Sequence, residues 1–171
     1  TGHRDTEARL AYAATHDVST GLARYPVIEA LLQDHALHHV GEPLTLVYAD
    51  IDRFHAINEA MGHEVGDRVM AEVAMRMSGE VGDAGRVARF TGDEFVVALP
   101  GIGLDEAVAV AERLRHAVAQ PVEISGGEVL VTMSMGVASY PGRVADIDDL
   151  LRRAEASMSR AKQLGRDMVC Q

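Results

Sequence analysis

The chain has 171 residues, 47% of them hydrophobic but only 4% aromatic, no tryptophan, and a formal net charge of −10. That length suits one domain with an aliphatic core, and that charge argues against a surface that coats nucleic acid, which is normally basic. One cysteine, Cys170, excludes an internal disulfide and fits a reducing, cytoplasmic setting, while no apolar run approaches the roughly 20 residues that cross a bilayer and no signal peptide is visible.

The opening Thr1-Gly-His and the end at Cys170-Gln171 read as a piece cut from a longer chain. Residues 5–14 read as one or two helical turns, so 1–15 is a linker helix and 16–171 the domain proper. Segment 16–22 is rich in Ser, Thr and Gly and reads as a loop, with Asp17 suited to bonding neighbouring amides. Residues 25–39 carry Val27, Ile28, Leu31, Leu32 and Leu37 at helical spacing until Gly41-Glu-Pro43 stops them. The mostly apolar run 44–50 is too short for a helix and reads as a buried strand ending in Asp50-Ile-Asp52.

A helix over 53–61, a kinked connection over 62–67 and a second helix over 67–78 follow. In the second helix Val69, Met70, Val73, Met75 and Met77 are read as inward packing. Residues 79–85 read as a loop. Runs 86–90 and 95–99 then flank Gly92, Asp93 and Glu94, and Gly at the first central position of a two-residue hairpin loop suits a type II′ turn. Beyond Pro100-Gly-Ile-Gly103 the spacing predicts a helix over 104–118 and a second hairpin of 121–124 with 129–140. A last helix over 147–164 has Asp146 or a neighbour as its cap and Gly165 as its stop, and 168–170 adds a short strand. This order implies an α/β (α+β) domain: a mostly antiparallel sheet of about five strands with helices packed on its faces.

Carboxylates end both the first strand and the hairpin. Taken alone, Gly92-Asp93 is more simply a solvated turn. If strand and hairpin are sheet neighbours, the acids can share a hard cation such as Mg²⁺, which takes oxygen ligands. The helix after Asp52 frees the N–H groups of Arg53 and Phe54 as an anion site. Lys162 is the only lysine among 16 basic residues, with Arg166 four positions on; a basic helix end by itself commonly just complements the helix dipole.

Asp50-Ile-Asp-Arg-Phe54, Ile57-Asn58, Gly62-His63, Gly66-Asp67, Arg89-Phe-Thr-Gly-Asp-Glu-Phe95, Ser134-Met-Gly-Val-Ala138 and Ala161-Lys-x-x-Gly-Arg166 occur in this order. Together, from about His16 to Asp167, they resemble the GGDEF-domain diguanylate cyclases. The resemblance implies a nucleotidyl-cyclase, palm-like fold that joins two GTP into cyclic di-GMP and pyrophosphate, each GTP held by one protomer of a homodimer. It implies Mg²⁺ (or Mn²⁺) on Asp50, Asp93 and the Ile51 carbonyl, with Glu94 at the same centre or helping to deprotonate the attacking hydroxyl. It puts phosphates on the amides of Arg53 and Phe54 beside Gly92 and His55, terminal phosphates on Lys162 and Arg166, and guanine on Asn58 and Asp67. An aspartate accepts from the N1–H and 2-amino group of guanine, a pattern adenine lacks.

The chain departs from the family in four places. Thr91 replaces the first glycine of the hairpin motif, adding bulk near the nucleotide. His55 stands where lysine is usual, and with a reference pKa near 6.5 it is often neutral at pH 7; it reads equally as a partly exposed helix histidine. Gly82 and Gly85 stand where an Arg-x-x-Asp feedback site would be, so no such site is expected. Ala23, Arg24 and Tyr25 replace a common Pro-Asn-Arg after Thr20-Gly-Leu22. Gln120-Pro-Val, 131–141 and the Ser159-Arg-Ala-Lys-Gln-Leu-Gly-Arg ending look like GGDEF domains that precede an EAL phosphodiesterase domain. That likeness implies covalently linked EAL and sensor domains, and it keeps open a second role, a catalytically weak or silent GTP-sensing module.

Overall fold

A computed structural model describes residues 2–141 and 146–171. The helices are α1 (Gly2–Thr15), α2 (Tyr25–His38), α3 (Phe54–Met61), α4 (His63–Val81), α5 (Leu104–Val118) and α6 (Ile147–Gln163). The strands are β1 (Ala23–Arg24), β2 (Leu44–Ile51), β3 (Arg86–Arg89), β4 (Glu94–Pro100), β5 (Val122–Ile124), β6 (Gly127–Val129), β7 (Met133–Tyr140) and β8 (Met168–Cys170).

Six strands form one sheet in the order β1-β3-β4-β2-β7-β8. The four inner strands pair antiparallel, and the short edges β1 and β8 are parallel to their neighbours. Every residue of β2 is buried because helices cover both faces of the sheet. Side chains alternate across a strand, so Val47, Ala49 and Ile51 meet Phe95, Val97, Val73, Met77, Val110 and Leu114 on one face. Leu44, Leu46 and Tyr48 meet Val96, Ala98, Ile28, Leu32, Leu150 and Met158 on the other. Each such large apolar side chain contributes about 1.5–3 kcal/mol by leaving water. The sheet is thus a layer between α4 and α5 on one side and α2 and α6 on the other.

Close backbone approach sets α6. A Cβ on Gly136 of β7 would lie 2.1 Å from Ala154 O and 2.2 Å from Met158 N, so only glycine lets this helix sit so near the strand. The Asp146 side chain accepts from Asp148 N–H at 3.0 Å and caps the helix as its sequence predicts.

Several expectations change. The main sheet has six strands because β1, only two residues long, adds an edge. The predicted second hairpin divides: β5 pairs with β6 in a separate two-stranded sheet, and β7 starts afresh at Met133 inside the main sheet. The α1 helix is longer than one or two turns. The kinked connection over 62–67 contracts to Gly62, whose φ of 91° breaks the chain between α3 and α4. The α4 helix runs on to Val81, and a 3₁₀ turn at Gly82–Ala84 takes the place of the loop at 79–85. Met75 is 62% exposed, and Leu37 is exposed too, because each falls on the solvent side of its helix.

Candidate functional site

The C-terminal end of β2 is the centre of the acidic cluster. Asp50 pairs in register with Glu94 on β4 and with Ser134 on β7. The Ile51 N–H donates to Asp93 O at 3.1 Å and fastens the hairpin tip beside it. The tip is the turn its glycine suggests. Glu94 N–H donates to Thr91 O at 2.7 Å, Gly92 has φ of 47°, and Asp93 keeps a negative φ, as a type II′ turn requires. Phe90 N–H also donates to Glu94 O at 2.9 Å, so Phe90 and Thr91 both face Glu94 in a local bulge. Thr91 is exposed and has no positive φ, so its β-branch is not strained there.

Arg89 holds this tip from behind. Its Nε donates to Gly92 O at 2.8 Å, and its Nη1 donates to Ser19 Oγ at 2.8 Å and Asp17 Oδ2 at 3.1 Å. Asp17 also accepts from Thr20 N–H at 3.0 Å and from the Ser19 and Thr20 hydroxyls. Burial pushes its carboxyl up, but the bonds from Thr20, Ser19 and Arg89 outweigh that and hold it below the usual carboxylate range.

The chain's lysine comes to the same place. Lys162, on the last turn of α6, donates to Asp50 Oδ2. Burial, and next the nearby Arg166 guanidinium, pull this ammonium below its ordinary range. Asp50 is 3% exposed, and its Oδ1 is one of two buried side-chain N or O atoms among the described residues that have no hydrogen-bond partner. A buried carboxylate oxygen left without a donor is costly. The position therefore fits a cation; Glu94 is its register partner on β4, and Asp93 lies in the turn fastened to Ile51.

Sequence reading missed one contributor and misplaced the role of a second. Tyr48, two residues before Asp50 and buried on the same face of β2, donates its hydroxyl to Glu94 Oε2. Burial, and then the Glu94 carboxylate, raise its phenol well above the ordinary value. The signal was its alternation with Asp50, hidden by its apolar neighbours. The second is Asp52, grouped with the acids by its sequence. It accepts from Thr132 Oγ1 and Ser134 Oγ at 2.6 Å each and from Asp167 N–H at 3.0 Å, so it fastens β7 and the turn after α6. That turn, with φ of 66° at Arg166 and 48° at Asp167, closes with Arg166 N–H on Ala161 O at 2.9 Å.

The α3–α4 corner holds a second group. Arg53 is the left-handed N-cap of α3, with φ of 54°, and Phe54 begins the helix, so the first amides have no acceptor within it. His55 is 87% exposed and lies 2.9 Å from Glu59, one turn along the same helix. Asn58 packs against Gly66 of α4: a Cβ there would stand 1.7 Å from Asn58 Oδ1 and turn that side chain aside. Asp67 follows on the exposed side. At Gly85 a Cβ would lie 1.9 Å from Ala98 O, so no aspartate of an Arg-x-x-Asp pair fits this backbone.

The family model described as "Diguanylate cyclase, GGDEF domain" matches residues 14–168. Diguanylate cyclase DgcM of Escherichia coli K12 is 35% identical over 171 residues, covering 99% of this chain and 41% of the relative. The bifunctional diguanylate cyclase/cyclic di-GMP phosphodiesterase MucR of Pseudomonas aeruginosa is 33% identical over 163 residues, covering 94% and 24%. The crystal structure of diguanylate cyclase SiaD with its activator SiaC, from Pseudomonas aeruginosa, superposes with a TM-score of 0.86 at 31% identity, over 98% of this chain and 65% of that one. The chain thus spans well under half the length of these curated relatives. No helix among the described residues is long and apolar enough to cross a membrane.

Proposed function

This chain belongs to the GGDEF-domain diguanylate cyclase family, and on that premise we propose that it condenses two GTP into cyclic di-GMP and pyrophosphate, one GTP on each of two copies brought face to face. The observation that carries the reading is the buried Asp50 carboxylate, half paired with Lys162 and half unpartnered, in register with Glu94 and beside Asp93.

Asp50, Asp93, Glu94 and the Ile51 carbonyl would hold Mg²⁺ or Mn²⁺, which lowers the pKa of the attacking 3′-hydroxyl and neutralises charge on the phosphates. The protein's own groups do the rest. The open amides at Arg53 and Phe54 bind phosphate oxygens at the positive end of α3. Lys162 and Arg166, converging from α6 and the turn after it, take the terminal phosphates. Asn58 and Asp67 read the guanine edge, with the Asn58 side chain packed over Gly66. Arg89 and Tyr48 orient the turn and Glu94 without touching the nucleotide.

A second reading is a GTP-sensing module with little or no turnover that controls a linked EAL domain. It is favoured by His55, which engages Glu59, and by the Thr91 hydroxyl, 3.4 Å from Glu94 Oε2. The test is to incubate the dimeric protein with Mg²⁺ and GTP and measure cyclic di-GMP and pyrophosphate. Product abolished by Asp50→Asn supports the cyclase. Saturable GTP binding without product at high enzyme concentration would refute the cyclase and leave the sensor; absence of GTP binding would refute both.

A further inference from the structure

The opposite end of β2 carries a different set of ligands. His35 and His39 stand four residues apart at the end of α2 and so share one helix face. Their rings stack 5.0 Å apart with 15° between planes. The chain then reverses through Gly41, with φ of 95°, and Glu42 N–H donates to His39 O at 3.1 Å. That turn returns Glu42 to the same face, its Oε2 3.5 Å from His39 Nδ1. One ligand atom from each of the three residues lies within 4.8 Å of the others.

His35 is 5% exposed, and its Nε2 lies 3.1 Å from Pro43 O. A carbonyl only accepts, so Nε2 carries the proton and the free lone pair is on Nδ1. Metal-binding histidines are held in this way, with one ring N–H tied to a carbonyl and the other nitrogen left to ligate.

We propose that His35, His39 and Glu42 bind a divalent ion of the zinc class, with a fourth position open to solvent. Two imidazoles and a carboxylate are a zinc donor set, whereas Mg²⁺ takes oxygens and keeps several waters. The last carbonyls of α2 are the negative end of its dipole and favour a cation there. A tetrahedral ion with bonds of about 2.0–2.1 Å sets its ligands about 3.3 Å apart. Closing to that spacing needs only small rotations, and His39 and Glu42, 50% and 57% exposed, are free to make them. The ion would clip the end of α2 to the turn that feeds β2, about 20 Å along that strand from Asp50. Among the described residues, His38 with Asp34, His55 with Glu59 and His116 with Glu112 each offer two ligands where this group offers three.

Metal-free protein in excess Mg²⁺ is titrated with Zn²⁺ by calorimetry and with Co²⁺ by visible absorption. The expected result is one equivalent of Zn²⁺, a four-coordinate Co²⁺ spectrum and a raised thermal midpoint. His39→Ala and Glu42→Gln, both at exposed positions, should each weaken binding by more than about tenfold, since loss of an outer partner alone costs about 10–100-fold. His38→Ala and His116→Ala should leave it unchanged. No saturable uptake, uptake that survives His39→Ala, or uptake lost in His38→Ala or His116→Ala would each overturn the assignment.

Discussion

Replacing Gly136 by alanine tests whether the seat of α6 is as tight as its geometry says, and whether that seat places Lys162. The new methyl carbon would begin 2.1 Å from Ala154 O and 2.2 Å from Met158 N, against the 3.4–4 Å of ordinary contact. Both neighbours are backbone atoms of a helix, so neither can swing aside, and α6 must move off β7 by about 1 Å. Overpacking of this kind costs about 1–3 kcal/mol, and clashes with backbone put it at the upper end. In a domain of this size that lowers the thermal midpoint by about 6–12 °C. Because α6 also carries Lys162 onto Asp50, GTP turnover should fall by up to about 100-fold, the usual effect of a 1 Å misplacement. The comparison is Gly79→Ala, on the exposed side of α4 with nothing within 4 Å of its Cβ. That change should stabilise by about 0.5–1 kcal/mol, from helix propensity alone. Melting curves by circular dichroism and pyrophosphate release read out both variants. A Gly136→Ala protein that melts within about 2 °C of the unaltered chain would refute the packing argument; one that melts low but turns over normally would refute the link to Lys162.

Tyr48→Phe removes the hydroxyl that Glu94 accepts while keeping the buried ring. Bonds to charged groups are worth about 1.5–3 kcal/mol, so kcat should fall by about tenfold or more with KM for GTP nearly unchanged, and steady-state kinetics that show the reverse split would contradict this. Thr91→Gly removes bulk at the exposed shoulder of the turn and should raise GTP affinity or rate; unchanged values in a binding titration and a turnover assay would show that bulk is not the defect. Asp17 has its carboxyl lowered on folding, so its contribution is fully present above the unfolded value near 3.9 and is lost as pH falls through the folded value. Urea unfolding should therefore show an Asp17→Asn deficit that is constant at neutral pH and vanishes in acid, and a deficit independent of pH would contradict the assignment.

What the residues determine by themselves is local. The α5 helix and the Asp146 cap were legible because apolar periodicity and a capping side chain act within a few positions of themselves. The hairpin tip was legible for the same reason: Gly92 supplies the positive φ that the turn needs, whichever strands it joins. Asp50, Asp93 and Glu94 were legible as one acidic group through the resemblance of their spaced motifs, and Lys162 as a cation beside it, but the direct contact of Lys162 with Asp50 was not. Contacts made across the chain had to wait for the tertiary structure. Lys162 reaches Asp50 over 112 positions, and Thr132 and Ser134 reach Asp52 over 80 and 82. Those last bonds turn an apparent metal acid into a fastener, and they coincide with the point where the predicted second hairpin divides. The two-residue β1 carries too few residues to show a period, and it exists only because β3 lies beside it. Met75 faces water because the direction of a helix's apolar stripe is settled by what packs on it. Tyr48 looked like one more core residue until β4 set Glu94 across from its hydroxyl. Local preference selected the elements; the free energy of packing them decided which side chains meet, and the candidate site consists of those meetings.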